Sequence, residues 1–549
     1  LPSDTLAVIS LPDVKKIFQV FPESIYGKIF SNPDIKKFLT PLYKFISSQT
    51  YLKLKFAEII TGLTTQELLE ELQGELTFAL LDVNFENNLN IPLNLAASIR
   101  LKNDKNRIKG LVKNKLFKMY PNIKTTEFEG IQFYKILQAS NLFYIGFINS
   151  SLLISNNPIS LKKILTLPKK KLKETYEYSN MCKIIKTPVL RFYLNFKKIN
   201  SHFPLPCHVC QILKQSGLTN ISILCFTTGL INRDMHHYCH ITLQKKQKNL
   251  PTLYSQKFKK LLNEIPEDIL VCKVFSCNLL KIWKKIDKLA TSFDKTLWKN
   301  HLTKLQRQAG VTVNEVLSTF ASKGYLYMTR PLTGGIAEIV SMIEMKNASK
   351  FLVLLTEIAN RHKLLKLRTI SYGGKKIYYL SISKATVFPD FQLSKNATIL
   401  AILPKCFFVQ KNRLYFANST QSLKRHLYNL KNRKNKNLFI SKVEKKLPKS
   451  CASFYYINTP AGLKEIYNGL ISISENFINF IQLIPKDKFP LEFDPALLPL
   501  SEHLLKDIRP TYIVVKQKKN AVILDIKGSI TGGFLSSLAY IFSNKSIIT

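Results

Sequence analysis

The sequence predicts an α+β fold made by tandem duplication of one module, a mostly antiparallel sheet packed by helices. Three observations carry that expectation. Five motifs recur in the same order, apolar and polar residues alternate in the strand-like runs, and helical runs stand grouped between groups of strands. The 549 residues are 46% hydrophobic and 21% charged, with a mean hydropathy of −0.01. That composition excludes collagen-like, coiled-coil and largely disordered chains.

The elements follow in order. Leu1-Pro-Ser-Asp-Thr-Leu-Ala-Val opens the first half and Ile265-Pro-Glu-Asp-Ile-Leu-Val-Cys the second. Each is a strand running into a basic amphipathic helix, Val14 to Val20 and Leu279 to Ile286. Gly62-Leu-Thr-Thr-Gln-Glu-Leu-Leu and Gly310-Val-Thr-Val-Asn-Glu-Val-Leu each place a threonine to cap a short helix after a glycine. Ile99-Arg-Leu-Lys-Asn answers Ile343-Glu-Met-Lys-Asn, a strand end followed by a helix. Phe128-Glu-Gly-Ile-Gln-Phe-Tyr answers Tyr372-Gly-Gly-Lys-Lys-Ile-Tyr, a tight turn joining two strands. Ser155-Asn-Asn-Pro-Ile-Ser-Leu-Lys-Lys answers Ala417-Asn-Ser-Thr-Gln-Ser-Leu-Lys-Arg, a strand entering a helix.

The offsets are 264, 248, 244, 244 and 262 residues, so insertions fall between elements. Two modules result, 1–250 and 251–549, the second ending in a short apolar segment from Gly532 to Phe542. Each closes on a hairpin, Ile221–Leu230 with His236–Leu243 and Tyr512–Lys516 with Ala521–Gly528. Leu76 to Asp82, Ala96 to Leu101 and Ile131 to Leu137 alternate apolar with polar residues, so helices pack one sheet face. The other face is solvated, or shared by two modules laid side by side.

The opening Leu1-Pro-Ser-Asp-Thr-Leu-Ala-Val-Ile-Ser-Leu-Pro-Asp-Val, with the block from Gly62-Leu-Thr to Leu72-Gln-Gly-Glu-Leu, resembles exported bacterial proteins built from two such modules. Those form a family catalogued as a domain of unknown function. The resemblance implies a signal peptide upstream of Leu1 and a place in the periplasm, the cell envelope or outside the cell. It carries over no catalytic residue. The lysine content and a histidine–cysteine cluster depart from the family pattern.

That cluster runs from His202 to His240. Cys207-His-Val-Cys210, with His236 and His240, supplies the ligand types that zinc selects. A strand over 235–243 competes with this reading, because it puts His236, Tyr238 and His240 on one face and Met235, His237 and Cys239 on the other. A Cys207–Cys210 disulfide is a further alternative. The nine cysteines, absent from the first 181 residues, form no disulfide framework.

Catalytic and cofactor signatures are missing from the sequence: no Gly-x-Ser-x-Gly, His-Glu-x-x-His or phosphate-binding loop occurs, so no enzyme and no cofactor is expected. Thr333-Gly-Gly335 and Gly373-Gly374 read as turns, and Glu67 with Glu71 as a solvated helix face. Tyr51 to Phe56, Phe192 to Lys198 and Lys375 to Tyr379 interleave basic and aromatic residues as single-stranded nucleic acid could use. The same residues satisfy ordinary strand and helix periodicity. No apolar run reaches the roughly 18–20 residues of a membrane-spanning helix.

Lysine and arginine number 81 against 36 aspartates and glutamates, a formal charge of +45. The reading favoured by these features is a non-catalytic exported protein, a scaffold or binder for an anionic envelope component such as lipid, lipopolysaccharide or wall polymer. Its rivals are an intracellular nucleic-acid-binding protein, disfavoured because lysines are spread along the whole chain, and a zinc-dependent or zinc-stabilised protein. One contiguous basic face would speak for a partner, an even lysine shell for codon composition. No oligomeric state can be read from the sequence.

Overall fold

The computed structural model describes residues 1–37, 72–83, 93–101, 110, 114, 123–138, 141–166, 170–202, 221–231, 234–244, 257–293, 295–330, 337–361, 365–382, 405–432, 438–481, 499–518 and 520–529. The first half contributes strands β1 (Ala7–Leu11), β2 (Leu72–Val83), β3 (Leu93–Leu101), β4 (Lys124–Phe128), β5 (Ile131–Gln138), β6 (Asn141–Ile148), β7 (Ser151–Ser155), β8 (Pro188–Leu194), β9 (Ile221–Ile231) and β10 (Asp234–Leu243). The second contributes β11 (Ile269–Ser276), β12 (Phe320–Thr329), β13 (Glu338–Met345), β14 (Leu365–Tyr372), β15 (Lys375–Ile382), β16 (Cys406–Gln410), β17 (Arg413–Ala417), β18 (Ser453–Ile457), β19 (Thr511–Lys518) and β20 (Ala521–Gly528).

These strands form one antiparallel sheet in the order β4-β5-β6-β7-β3-β2-β1-β8-β9-β10-β20-β19-β18-β11-β12-β13-β17-β16-β15-β14. Every pairing within β1–β10 has a counterpart ten strands on. The registers correspond as well. Ile9 lies opposite Phe78 and Lys273 opposite Leu326; Phe78 faces Ala97 and Leu326 faces Ser341; Ala97 faces Ile154 and Ser341 faces Phe416. The sequence offsets of 264, 248, 244 and 262 carry each of these pairs onto its partner pair.

Turn chemistry repeats too. Glu129 and Gly130, and their counterparts Gly373 and Gly374, all have positive φ, from 51° to 74°, as a two-residue antiparallel hairpin demands. Asn149 and Lys411, 262 residues apart, hold the same left-handed conformation in the next hairpin. The two halves join edge to edge through β10 and β20, from Met235 opposite Gly528 to Thr242 opposite Ala521. Tyr238 lies four residues beyond Asp234, the first paired residue of its hairpin, and Asp525 four beyond Ala521; the two face each other across this seam.

Residues directly opposite share a face, so alternation sorts the core into two layers. On the first face, helices Pro158–Leu165 and Tyr176–Ile184 bury Leu161, Tyr178 and Met181 against the first half. Helices Thr420–Lys431 and Leu438–Val443 bury Leu423, Phe439 and Val443 at the matching places in the second half. On the opposite face, helix Val14–Val20 buries Val14, and helix Ala348–Arg361 buries Phe351 against Phe407 and Leu414. Among the described residues no helix is long and apolar enough to cross a membrane.

Two readings shift at element ends. The helix expected from Leu279 to Ile286 continues to Phe293. The strand expected from Tyr512 to Lys516 continues to Lys518, which pairs with Ala521.

Candidate functional site

On the first face, the first half leaves an open cleft of about 700 Å³. Its floor is built by strand alternation: Thr77 and Ala79 on β2, Ala96, Ser98 and Arg100 on β3, Leu153 on β7 and Arg191 on β8. The helix Tyr176–Ile184 walls one side with Tyr178 and Cys182. Leu172 donates its N–H to the Leu1 carbonyl at 2.9 Å, which pins a single 3-10 turn, Leu172–Glu174, and sets Lys171 and Lys173 on the rim.

Arg100, Arg191, Lys171 and Lys173 thus surround a cleft with one carboxylate, Glu75. Glu75 Oε1 accepts from the buried Ser10 hydroxyl at 2.5 Å and from Thr77 Oγ1 at 3.1 Å. Among the described residues no donor reaches its Oε2, and none of the four cations forms an ion pair. Arg191 Nε is buried with no hydrogen-bond acceptor there. The stem of Arg100 runs over Gly74, where an added Cβ would sit 2.8 Å from the Arg100 Cβ, so a bare backbone leaves room for it. Burial raises the Cys182 thiol pKa, with the Arg191 charge pulling it down and Glu75 pushing it up. Burial likewise raises Tyr178, assisted by Cys182 and Glu75. Both groups stay neutral at pH 7, so the cleft carries a surplus of positive charge that can hold an anion.

The matching space in the second half is full. Opposite-strand register puts Tyr325, Tyr327, Val340, Met342, Tyr415 and Phe454 where the first half has Thr77, Ala79, Ala96, Ser98, Leu153 and Arg191. All six are buried. His426, itself buried, pairs its Nε2 with the Tyr325 hydroxyl at 3.2 Å and its Nδ1 with the Tyr327 hydroxyl at 2.8 Å. Glu264 accepts from Tyr325 and Tyr415, each at 3.2 Å, and from Arg413. Burial, then the Glu264 charge, pushes the Tyr415 pKa up to about 12. The polar groups that close this half bind one another.

Of the zinc candidates, Cys207 and Cys210 lie outside the described residues, as do Glu67 and Glu71. His236 and His240 lie on β10 with Tyr238 between them, on one face. His236 Nε2 donates to Asp525 Oδ1 at 2.7 Å across the seam, and His237, on the other face, stacks on Phe226. Among the described residues no three His, Cys, Asp or Glu side chains stand together as a metal site. Cys182, Cys225, Cys239, Cys272, Cys277, Cys406 and Cys451 are free thiols. Of the interleaved segments, Tyr193 is buried in the core and Lys375 to Tyr379 belong to β15, whereas 51–56 lie outside the described residues.

The residues of the cleft escaped sequence reading. Their one signal is Arg191, a charge in the middle of the otherwise apolar strand Pro188–Leu194. On the opposite face the same strands carry an apolar groove of about 630 Å³ lined by Ile9, Phe78 and Phe192, with no charged side chain among its described lining residues.

No family model and no curated protein matches the chain. Among solved structures, crystal form IV of TP0453 is similar at TM-score 0.23 and 10% identity, covering 44% of this chain and 77% of that one. Crystal form III of TP0453 is similar at TM-score 0.22 and 11% identity, covering 45% and 80%. At these scores the likeness bears on neither fold nor function.

Proposed function

We propose that the chain is a non-catalytic exported protein, built by tandem duplication of a ten-strand module, that binds an anionic component of the cell envelope through the cleft of its first half. The observation that carries the binding reading is the gathering of Arg100, Arg191, Lys171 and Lys173 around about 700 Å³ of open space with a single carboxylate. A volume of that order is typical of small-molecule sites. The recurrence of strand order, register and left-handed turn positions supports the duplication. Life in the periplasm, the envelope or outside the cell rests on the resemblance of the opening segment. Lipid head groups, lipopolysaccharide phosphates and wall polymers all present the required charge.

The test is co-sedimentation of the intact protein with vesicles of anionic or neutral lipid, with lipopolysaccharide and with wall fragments, at low and high salt. Binding to an anionic partner, weakened by salt and by Arg100→Gln with Arg191→Gln, is the expected outcome. Equal retention by neutral vesicles, or binding indifferent to both substitutions, would sink the reading.

A further inference from the structure

We infer that the first-half cleft recognises a phosphorylated polyhydroxy compound, one per chain, and that the second half has lost or never had this site because its own side chains occupy the space. The inference rests on the reading that the cleft binds anions, and adds the class of anion and the stoichiometry.

A cleft selected only for bare phosphate would gain nothing from a carboxylate. Glu75 nevertheless sits among four cations, with Ser10 and Thr77 orienting one oxygen and leaving Oε2 without a donor among the described residues. A carboxylate so placed accepts hydrogen bonds, and bonds to an ionised acceptor are the stronger kind. The donor it would take from a ligand is an ammonium or a hydroxyl. Arg100, Arg191, Lys171 and Lys173 repel an ammonium and leave a neutral hydroxyl unaffected. Thr77, Ser98, Ser150, Ser151 and Asn149 line the same cleft and suit a ligand rich in hydroxyls. The arginines and lysines suit its phosphate, Arg191 with a buried Nε that has no acceptor of its own.

The second half supplies an internal control. There Tyr327 stands in the place of Ala79, Met342 in that of Ser98 and Phe454 in that of Arg191, all buried, on the same strand framework. Removal of the arginine and of the open space together leaves nothing for a phosphate to bind.

The experiment is isothermal titration of the intact protein at low salt with glucose 6-phosphate, inorganic phosphate and glucose. Glucose 6-phosphate should bind one per chain and about tenfold tighter than phosphate, the worth of a single well-made charged hydrogen bond; glucose should not bind. Glu75→Gln should bring glucose 6-phosphate down to the affinity of phosphate, while Arg191→Gln should weaken both. Ala79→Tyr and the milder Ser98→Met, each checked for folding by far-ultraviolet circular dichroism, should abolish binding by filling the cleft as the second half is filled.

Equal affinity for phosphate and glucose 6-phosphate overturns the polyhydroxy class and leaves the anion reading standing. Failure of both to bind overturns both. Undiminished binding by folded Ala79→Tyr or Ser98→Met protein, or two ligands per chain, overturns the placement. Vesicles containing phosphatidylinositol that displace glucose 6-phosphate would assign the class to a lipid head group, and vesicles that leave it bound would assign it to a soluble ligand; either supports the class.

Discussion

His236 on β10 and Asp525 on β20 are joined by a 2.7 Å hydrogen bond at the seam between the two halves of the sheet. Lys527 approaches the same carboxylate at 3.4 Å. Burial pushes the Asp525 pKa up, but the His236 bond and the Lys527 charge outweigh it and hold the group below the ordinary aspartate range. Asp525→Asn should therefore cost about 1–3 kcal/mol at pH 7, because His236 and Lys527 lose an ionised acceptor at a largely buried site. A depressed carboxyl pKa stabilises above its unfolded value and stops doing so as pH falls through the folded one. The gap between the two proteins in urea unfolding should thus be full at pH 7 and close below about pH 4.

His237 and His240 act in a different pH window. Burial lowers His237 to about 4, with neighbouring His236 adding to the effect, and burial also lowers His240. In the unfolded chain both take up protons near pH 6.5, while the folded chain resists doing so. Stability should fall as pH drops from about 6.5 towards 4, His237 alone accounting for about 3 kcal/mol at pH 4. Urea midpoints of the wild type and His237→Phe, measured at pH 7 and pH 4.5, check this: the variant should lose less on acidification.

Glu264 holds the second-half core closed. It is buried, and Tyr325, Tyr415 and Arg413 all donate to it. Glu264→Ala should leave two buried hydroxyls and a half-buried guanidinium without their acceptor, a loss of about 2–4 kcal/mol by denaturant unfolding. Tyr415→Phe removes one donor and no charge, and should cost about 1 kcal/mol or less.

Two glycines should respond with opposite sign. Gly310 follows helix Lys295–Ala309 with φ at 71°, and an added Cβ would run into the Arg361 side chain, so Gly310→Ala should destabilise by about 1–2 kcal/mol. Gly469 is exposed within helix Thr459–Ile481 with nothing near its missing Cβ, and Gly469→Ala should stabilise by about 0.5–1 kcal/mol. Thermal unfolding of both variants provides the comparison.

Much of the framework is legible in the sequence, since alternation and turn residues are local. The Thr312 cap, accepting from the Glu315 N–H at 3.1 Å, lies where Gly310-Val-Thr places it, and the Gly373-Gly374 turn joins the strands on either side of it. The helix from Leu279 overruns its expected end because Ala290 and Thr291, neutral in periodicity, still propagate a helix already nucleated. The cleft was not legible for a different reason. Ala79 and Ser98 lie on consecutive strands and are unexceptional there, whereas Arg191 lies 93 residues beyond Ser98 on a third strand. Only pairing places them together, and only comparison with Tyr327, Met342 and Phe454 shows that space was left between them.

Among the described residues the sheet is open, ending at β4 and β14, so a continuous ladder of twenty strands presents just two unpaired rims. An unpaired rim is where one molecule recruits the next into a growing fibril. Exposed Lys124 and Glu127 mark one rim and exposed Arg368 the other, on a chain whose formal net charge is +45. Net charge of one sign on both copies opposes such an approach. The excess of lysine therefore has a physical effect even with no ligand present: it adds a repulsion between copies that opposes rim-to-rim pairing, and salt screens that repulsion.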